Sequence, residues 1–252
     1  MDDFFSQIDA LLALRPKAEP LKVWWRDDDA TEPTAALDRL LEISANHRAP
    51  LALAVVPQPV QARLLHVLSA RQATVLQHGF AHTNHAAAGG RAVECGGSRP
   101  AQTVMDELRL GSTLLQSLFG SLYLPVMVPP WNRIEAEIAG QLSKAGYIGL
   151  SCFGPEPEKG LPGLGIHNAH IDILRWKGGA HFAGMERMQR DFAEELALRQ
   201  QHLDKSLCIL SHHLAHDHES WEFLDRLVQF FASHPAVAFQ SAQQIFRQGA
   251  PQ

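Results

Sequence analysis

The chain has 252 residues, of which 46% are hydrophobic and 19% charged, so it can bury a large core and is unlike a disordered protein. Its formal net charge is −5 and it has no basic stripe, which argues against nucleic acid as a partner. No apolar run approaches the roughly 18 residues that a membrane helix needs, so we expect no membrane partner.

The start of the chain and its cysteines predict a compartment. The chain begins with Met1, Asp2 and Asp3, so its start is acidic and lacks the basic segment of a secretory signal. The cysteines, Cys95, Cys152 and Cys208, are odd in number and far apart, which disfavours a disulfide framework. We therefore expect a cytoplasmic protein with free thiols, and we expect Cys152 and Cys208 to be buried because they lie in apolar runs.

Strands and helices are predicted to alternate along the chain. Apolar residues at helical spacing predict an N-terminal helix over residues 1–15, which Pro16 ends. Residues 83–100 form the one long predicted loop. Strands are predicted at 21–26, 51–56, 73–77, 125–128, 147–153, 166–174, 207–210 and 236–239, and helices start near 31, 59, 98, 134, 185, 221 and 241, those from 134 and 185 ending near 145 and 203.

This alternation predicts an α/β fold with parallel strands covered by helices, either a barrel or a doubly wound sheet. The sequence shows no internal repeat and no linker, so we expect one domain over residues 1–252 with the helix of residues 1–15 packed on it. In either architecture, functional side chains gather where the strands end.

Polar residues follow several of these strands. His78 and His82 are four positions apart after the third strand, a spacing at which two imidazoles can bind one cation, although either could be a core histidine. Residues 27–29, three aspartates after the first strand, could also begin a helix or form a solvated turn. Later strands lead to Asp172 and to His212.

Five segments, in this order, resemble the motifs of the polysaccharide deacetylase family, the nodulation-type deacetylases of carbohydrate esterase family four. They are residues 26–30, 78–82, 128–131, 172–176 and 210–212. The resemblance implies a distorted (β/α) barrel of seven or eight strands. It also implies Zn²⁺ or another divalent cation as cofactor.

By this resemblance Asp29, His78 and His82 are the metal ligands, Asp28 is the general base and His212 is the general acid. The alternative register makes Asp27 the base and Asp28 the ligand. Trp131, Asn132 and Trp176 are the predicted substrate-binding residues, the two tryptophans as flat apolar walls for a sugar ring, although each could simply be a packed aromatic.

Three positions depart from the family pattern. Val128 stands where the third motif has arginine, Arg175 stands where the fourth has aspartate, and Gly79 stands where serine or threonine is usual. In the family, the first two of those positions help to hold the catalytic base. Arg26, Arg133 and Arg175 are candidates to replace that support on the ground of charge alone.

The resulting prediction is a metal-dependent hydrolase that deacetylates an N-acetylated sugar or a related amide, with a place in carbohydrate metabolism. One alternative is another C–N hydrolase on the same scaffold, acting on a small amide or cyclic ureide. A second is a non-catalytic, metal-containing carbohydrate-binding protein, which the departures at Val128 and Arg175 favour. A glycosidase using two aspartates would leave His78 and His82 without a role.

Overall fold

The computed structural model describes residues 1–71 and 73–247. Helices and strands alternate through these residues, as the sequence predicts. Short 3₁₀ turns follow several of the strands. The α-helices are α1 (Asp2–Leu12), α2 (Ala35–His47), α3 (Leu64–Arg71), α4 (Ala101–Phe119), α5 (Ala136–Ala139), α6 (Met185–Gln201), α7 (His218–Ser233) and α8 (Ala242–Arg247).

The longest strands are fully or almost fully buried, as expected for strands covered on both faces. The strands are β1 (Leu21–Ala30), β2 (Leu51–Val55), β3 (Thr74–His78), β4 (Tyr123–Val128), β5 (Gly149–Leu150), β6 (Gly165–Ile166), β7 (Ile171–Asp172), β8 (Leu174–Arg175), β9 (His181–Phe182), β10 (Leu207–Ser211) and β11 (Val237–Phe239).

The described residues form two compact units, each assembled from separate stretches of the chain. The first unit contains residues 1–27, 35–51 and 169–242. The second contains residues 28–34, 52–71, 73–168 and 243–247. The boundary falls within β1, between Asp27 and Asp28, so consecutive aspartates belong to different units.

In the first unit, β1 pairs in parallel with β10 and with β11, and β10 pairs in parallel with β7. The register sets Asp27 opposite Ser211 at the ends of β1 and β10. Helix α1 packs against α6 through the buried rings of Phe4 and Phe192, whose centroids are 5.5 Å apart. The predicted N-terminal helix is therefore present, and its apolar stripe is buried.

In the second unit, β2 to β6 pair in sequence order and in parallel. Parallel pairing of successive strands requires a crossover each time. Helix α4 buries an apolar stripe that includes Val104, Met105 and Leu108, in one cluster with Leu142 and Tyr147. This arrangement brings the ends of β3 and β4 together, with His78 opposite Val128.

Several predicted boundaries were wrong. Strand β1 extends to Ala30, so the aspartates belong to the strand rather than to a turn. The strand predicted at 147–153 is only Gly149–Leu150, because its pairing with β4 covers only those residues. The extended stretch predicted at 166–174 is divided among β6, β7 and β8, and the antiparallel β8–β9 hairpin was not predicted.

The helix predicted over 134–145 is also divided. Helix α5 ends at Ala139, directly before Gly140, and a 3₁₀ turn follows at residues 143–145. Glycine is a poor helix former, which accounts for the early end.

All three cysteines are thiols rather than disulfides, as predicted. Cys95 and Cys208 are buried, whereas Cys152, which we predicted to be buried, is only partly so because it lies just beyond the end of β5. Across residues 1–71 and 73–247, every helix falls short of the length and apolar character that crossing a bilayer requires.

Candidate active site

Asp29, His78 and His82 come together in the second unit at the ends of β1 and β3. The Nε2 atoms of His78 and His82 lie 3.0 and 3.2 Å from Asp29 Oδ1. One ligand atom from each side chain lies within 4.8 Å of the other two. In a tetrahedral zinc site with bonds of about 2.0–2.2 Å, ligand atoms are roughly 3.4 Å apart. The spacing and the donor chemistry therefore fit one divalent cation.

The orientation of the His78 ring is set by a contact with the backbone of Val128. Its Nδ1 lies 2.9 Å from the carbonyl oxygen of Val128, and as a donor there it leaves Nε2 directed at Asp29 with its lone pair available. The same carbonyl accepts the N–H of Gly79 at 3.1 Å. The Val128 side chain is fully buried, so this position contributes to the site through its backbone.

Unusual backbone conformations gather around the same place. Non-glycine residues with positive φ in the described part of the chain include Asp29 (75°), His82 (55°), Trp131 (55°) and Asn132 (55°). Such conformations each cost on the order of 1–3 kcal/mol and concentrate at functional sites. The Trp131 ring centroid is 4.5 Å from that of His82, which places one predicted substrate-binding residue beside a predicted ligand.

The segment between the two histidines is held by a buried carboxylate that the sequence analysis did not single out. Glu94 accepts the N–H of Phe80 at 3.1 Å through Oε2 and the N–H of Ala81 at 2.7 Å through Oε1. It is 1% exposed. The only signal in the sequence is an acidic residue within a long loop of small residues.

A second residue outside the predicted set is Gln77. Its buried amide donates to the carbonyl oxygens of Gly79 and Leu108 and accepts from the hydroxyls of Tyr123 and Tyr147. A polar residue inside the apolar strand β3 was the available signal. Gln77 fixes the end of β3 directly before His78 because every polar atom of its amide is satisfied.

Asp27 is engaged inside the first unit. It is fully buried, and Oδ2 accepts from Ser211 Oγ at 2.5 Å and from the N–H of His213 at 3.0 Å. Its Oδ1 lies 2.5 Å from His213 Nδ1. Burial raises the pKa of Asp27, but His213, His216 and Ser211 together outweigh burial and lower the pKa below its ordinary value. These contacts are those of a structural carboxylate.

The structure groups Asp29, rather than Asp28, with the two histidines. Asp28 is 1% exposed and lies in the second unit with the histidines. The roles of these aspartates remain predictions.

The predicted acid, His212, lies in the first unit beside Trp176, with ring centroids 4.7 Å apart. The indole N–H of Trp176 donates to Asp172 Oδ2 at 2.9 Å, and the N–H of Leu174 donates to Asp172 Oδ1 at 2.9 Å. Burial raises the pKa of Asp172, although His212 acts in the opposite direction. Trp176 is half exposed, as a side chain that meets substrate would be.

The three candidate arginines differ in their surroundings. Arg26 is fully buried in β1. Arg133 donates to the carbonyl oxygen of Ala92 at 2.7 Å, and burial lowers its pKa. Arg175 is exposed at the β8–β9 hairpin. Of the three, Arg26 alone is a buried strand residue, and whether it supports the base stays a prediction.

His216 predicts a pH dependence of stability. Burial lowers the pKa of His216 from 6.5 to about 4, the nearby His212 and His213 act in the same direction, and Asp27 and Asp217 oppose it. The folded state therefore binds fewer protons than the unfolded state between these values, so stability should fall as the pH drops from 6.5 towards 4.

For one such group, the free energy of unfolding changes by up to about 1.4 kcal/mol per pH unit. We expect His216→Gln to reduce the loss of melting temperature between about pH 7 and about pH 4.5, as measured by calorimetry. Exposed His66→Gln serves as the control. Identical pH profiles for wild type and His216→Gln would contradict a lowered pKa for the partly buried His216.

No family model and no curated protein matches the sequence. Solved structures do match. A presumed polysaccharide deacetylase from Mycobacterium smegmatis has a TM-score of 0.69 and 13% identity, covering 93% of this chain and 91% of that one. A family 4 acetyl xylan esterase from Clostridium thermocellum, in complex with a cobalt ion, has a TM-score of 0.57 and 14% identity, covering 91% and 93%.

A peptidoglycan deacetylase from Bacillus subtilis has a TM-score of 0.56 and 12% identity, covering 92% of each chain. The chain has the polysaccharide deacetylase fold. The predicted distorted (β/α) barrel of this fold is thereby confirmed, and the doubly wound sheet is set aside. At 12–14% identity to these structures, the likeness to the polysaccharide deacetylases establishes architecture alone.

Proposed function

We propose that the chain is a divergent polysaccharide deacetylase, a divalent-cation-dependent hydrolase that removes acetyl groups from an N-acetylated sugar or a related amide, and that residues 1–252 act as one catalytic domain. The observation that carries the proposal is the group formed by Asp29, His78 and His82, within a fold shared with deacetylases. The solved peptidoglycan deacetylase supports an amide substrate, and the cobalt ion of the acetyl xylan esterase supports a divalent cation.

Two imidazole nitrogens and a carboxylate oxygen suit zinc, and three protein ligands leave coordination positions open, as in catalytic zinc sites. When bound, such a cation polarises the acetyl carbonyl and lowers the pKa of water to about 7. A hydrogen bond from Nδ1 of His78 to the carbonyl of Val128 would leave Nε2 free of a proton, as the ligand atom that the proposal needs.

The proton transfers are assigned to two side chains. Asp28 takes a proton from the attacking water as the new C–O bond forms at the acetyl carbon. His212 gives a proton to the leaving nitrogen as the C–N bond breaks, so acetate and a free amine result. Each transfer contributes roughly 10²–10⁴-fold to the rate. We propose Trp131, Asn132 and Trp176 as the residues that contact the sugar.

The test measures acetate release from N-acetylglucosamine oligomers, with acetylated xylan and a panel of small amides and ureides as comparison substrates. We expect release from the N-acetylated oligomers that stops when a chelator is added and returns with Zn²⁺ or Co²⁺. Turnover only of the small amides or ureides would replace the proposal with the other C–N hydrolase. Sugar binding without acetate release would favour a binding protein, as the departures at Val128 and Arg175 suggest.

The role of Asp28 has its own test. Asp28→Asn removes the proton acceptor, so we expect the rate constant kcat to fall by about 10²–10⁴-fold. Zinc affinity should stay close to that of the wild type, because the three predicted ligands are intact. Wild-type kcat in Asp28→Asn would show that Asp28 is not the base. The assignment of Asp28 as base with Asp29 as metal ligand would then be wrong.

A further inference from the structure

The side chain of Glu94 contacts the segment that joins His78 and His82. Its two carboxylate oxygens accept the N–H groups of Phe80 (3.1 Å), Ala81 (2.7 Å) and, at longer range, Thr83 (3.4 Å). All three donors lie within residues 80–83, which include His82. One buried carboxylate therefore faces several backbone amides of this short segment, an arrangement by which backbone N–H groups cradle an anion.

The segment needs such support because its backbone is strained. His82 has φ of 55°, a region that non-glycine residues rarely occupy, whereas Gly79 adopts the same φ without steric cost. The amide of Gln77 also donates to the carbonyl oxygen of Gly79, at 2.9 Å. Glu94 and Gln77 thus fix opposite polar groups of the same turn, and the direction of the His82 ring depends on that turn.

The glycine at position 79 is explained by the same carboxylate. A Cβ placed on Gly79 would overlap Glu94 Oε2 and would lie 2.6 Å from Cδ of Pro130. The space that a side chain would occupy is filled by the Glu94 carboxylate. Gly79 and Glu94 are therefore complementary, and the departure from serine or threonine at this position has a physical reason.

Glu94 is itself held in place. Arg99 donates through Nη2 to the Glu94 carbonyl oxygen at 2.9 Å and through Nη1 to Glu107 Oε2 at 2.6 Å, which ties the loop to helix α4. The next residue, Cys95, is fully buried. The carboxylate is thus presented from a fixed backbone, although it lies in a long loop.

We propose that Glu94 is a positioning residue that holds residues 78–82 in the conformation able to bind the cation. This inference rests on the metal centre of the proposed function. Glu94 acts through backbone amides and is not one of the three grouped ligands. Groups that hold metal ligands in place typically contribute 10–100-fold to metal affinity.

The experiment measures the dissociation constants of Zn²⁺ and Co²⁺, by competition with a chromophoric chelator, for Glu94→Ala and Glu94→Gln. We expect Glu94→Ala to weaken binding by about 10–100-fold and to change the Co²⁺ absorption spectrum, since the ligand geometry changes. Glu94→Gln keeps one oxygen acceptor and the side-chain volume, so it should restore part of the affinity.

The matched control is Glu135→Ala. Glu135 Oε1 accepts the N–H of Gly97 at 2.7 Å, so it too binds the backbone of the long loop, but away from the histidines. Its removal should leave metal affinity within about twofold of the wild type, well short of a positioning effect. A loss in Glu135→Ala equal to that in Glu94→Ala would show a general effect of loop support and overturn the inference.

The outcomes separate this inference from the proposed function. Folded Glu94→Ala with wild-type affinity and spectrum overturns the inference and leaves the deacetylase proposal standing. Tight cation binding by the wild type without any hydrolysis overturns the activity and leaves the role of Glu94 intact. A wild type that binds neither ion overturns both. Should Glu94→Ala fail to fold, Glu94→Gln decides, and wild-type affinity and spectrum in that variant overturn the inference.

Discussion

His82→Asn is expected to weaken Zn²⁺ binding by more than about 100-fold and to abolish acetate release. This loss exceeds the roughly 10–100-fold that removal of a group hydrogen-bonded to a metal ligand typically costs. The substitution removes one of three nitrogen and oxygen donors from the predicted centre. Asparagine tolerates the positive φ of 55° at this position better than most residues, so the backbone should be retained. Only about a third of the His82 side chain is exposed, and its ring lies beside that of Trp131. The smaller asparagine would leave a gap there.

The control for this prediction is His85→Asn, the same substitution three residues further along. The backbone of His85 pairs with Val93 and Ser98, and its side chain is outside the Asp29 group. Zinc affinity and acetate release should both be unchanged in this variant. If His82→Asn bound zinc as tightly as His85→Asn does, His82 would not be a ligand.

The second large effect is expected on stability rather than on the metal. Asp27→Asn should cost about 3 kcal/mol, because a buried carboxylate that accepts from Ser211 and His213 is replaced by an amide that satisfies fewer of those donors. In a chain of this length, that loss corresponds to a fall in melting temperature of about 6–12 °C, which differential scanning calorimetry detects.

Asp29→Asn is the matched comparison and should show the opposite pattern. Its carboxylate is partly exposed and belongs to the predicted metal group, so metal-free stability should change little while zinc affinity is lost. Asp27→Asn should retain zinc affinity, since Asp27 is directed at His213. Loss of zinc by Asp27→Asn with retention by Asp29→Asn would reverse the assignment of these aspartates.

The sequence was sufficient to predict the alternation of elements, the polysaccharide deacetylase fold and the grouping of Asp29 with His78 and His82. Apolar runs such as residues 51–56 have the length and composition of buried strands, and polar residues at strand ends meet in any parallel sheet. Even so, the aspartates lie within β1 rather than beyond it, since β1 runs to Ala30 and its pairing with β10 ends only at Asp27, opposite Ser211.

The supporting contacts could not be predicted, because they depend on the path of irregular backbone. Nothing in local sequence indicates that Glu94 returns to the turn at Phe80 and Ala81, fourteen and thirteen residues earlier in the chain. The role of Val128 was also hidden, since its contribution to His78 is made by a backbone carbonyl that any residue could supply. Side-chain identity carries no record of such contacts.

The central claim is that Asp29, His78 and His82 share one divalent cation. The most direct test is a zinc titration of the metal-free protein followed by nitrogen-15 NMR of its 14 histidines. The claim predicts saturation at one equivalent, with the Nε2 resonances of His78 and His82 shifting together while Nδ1 of His78 stays protonated. Absence of saturable binding, or a shift confined to other imidazoles, would contradict it.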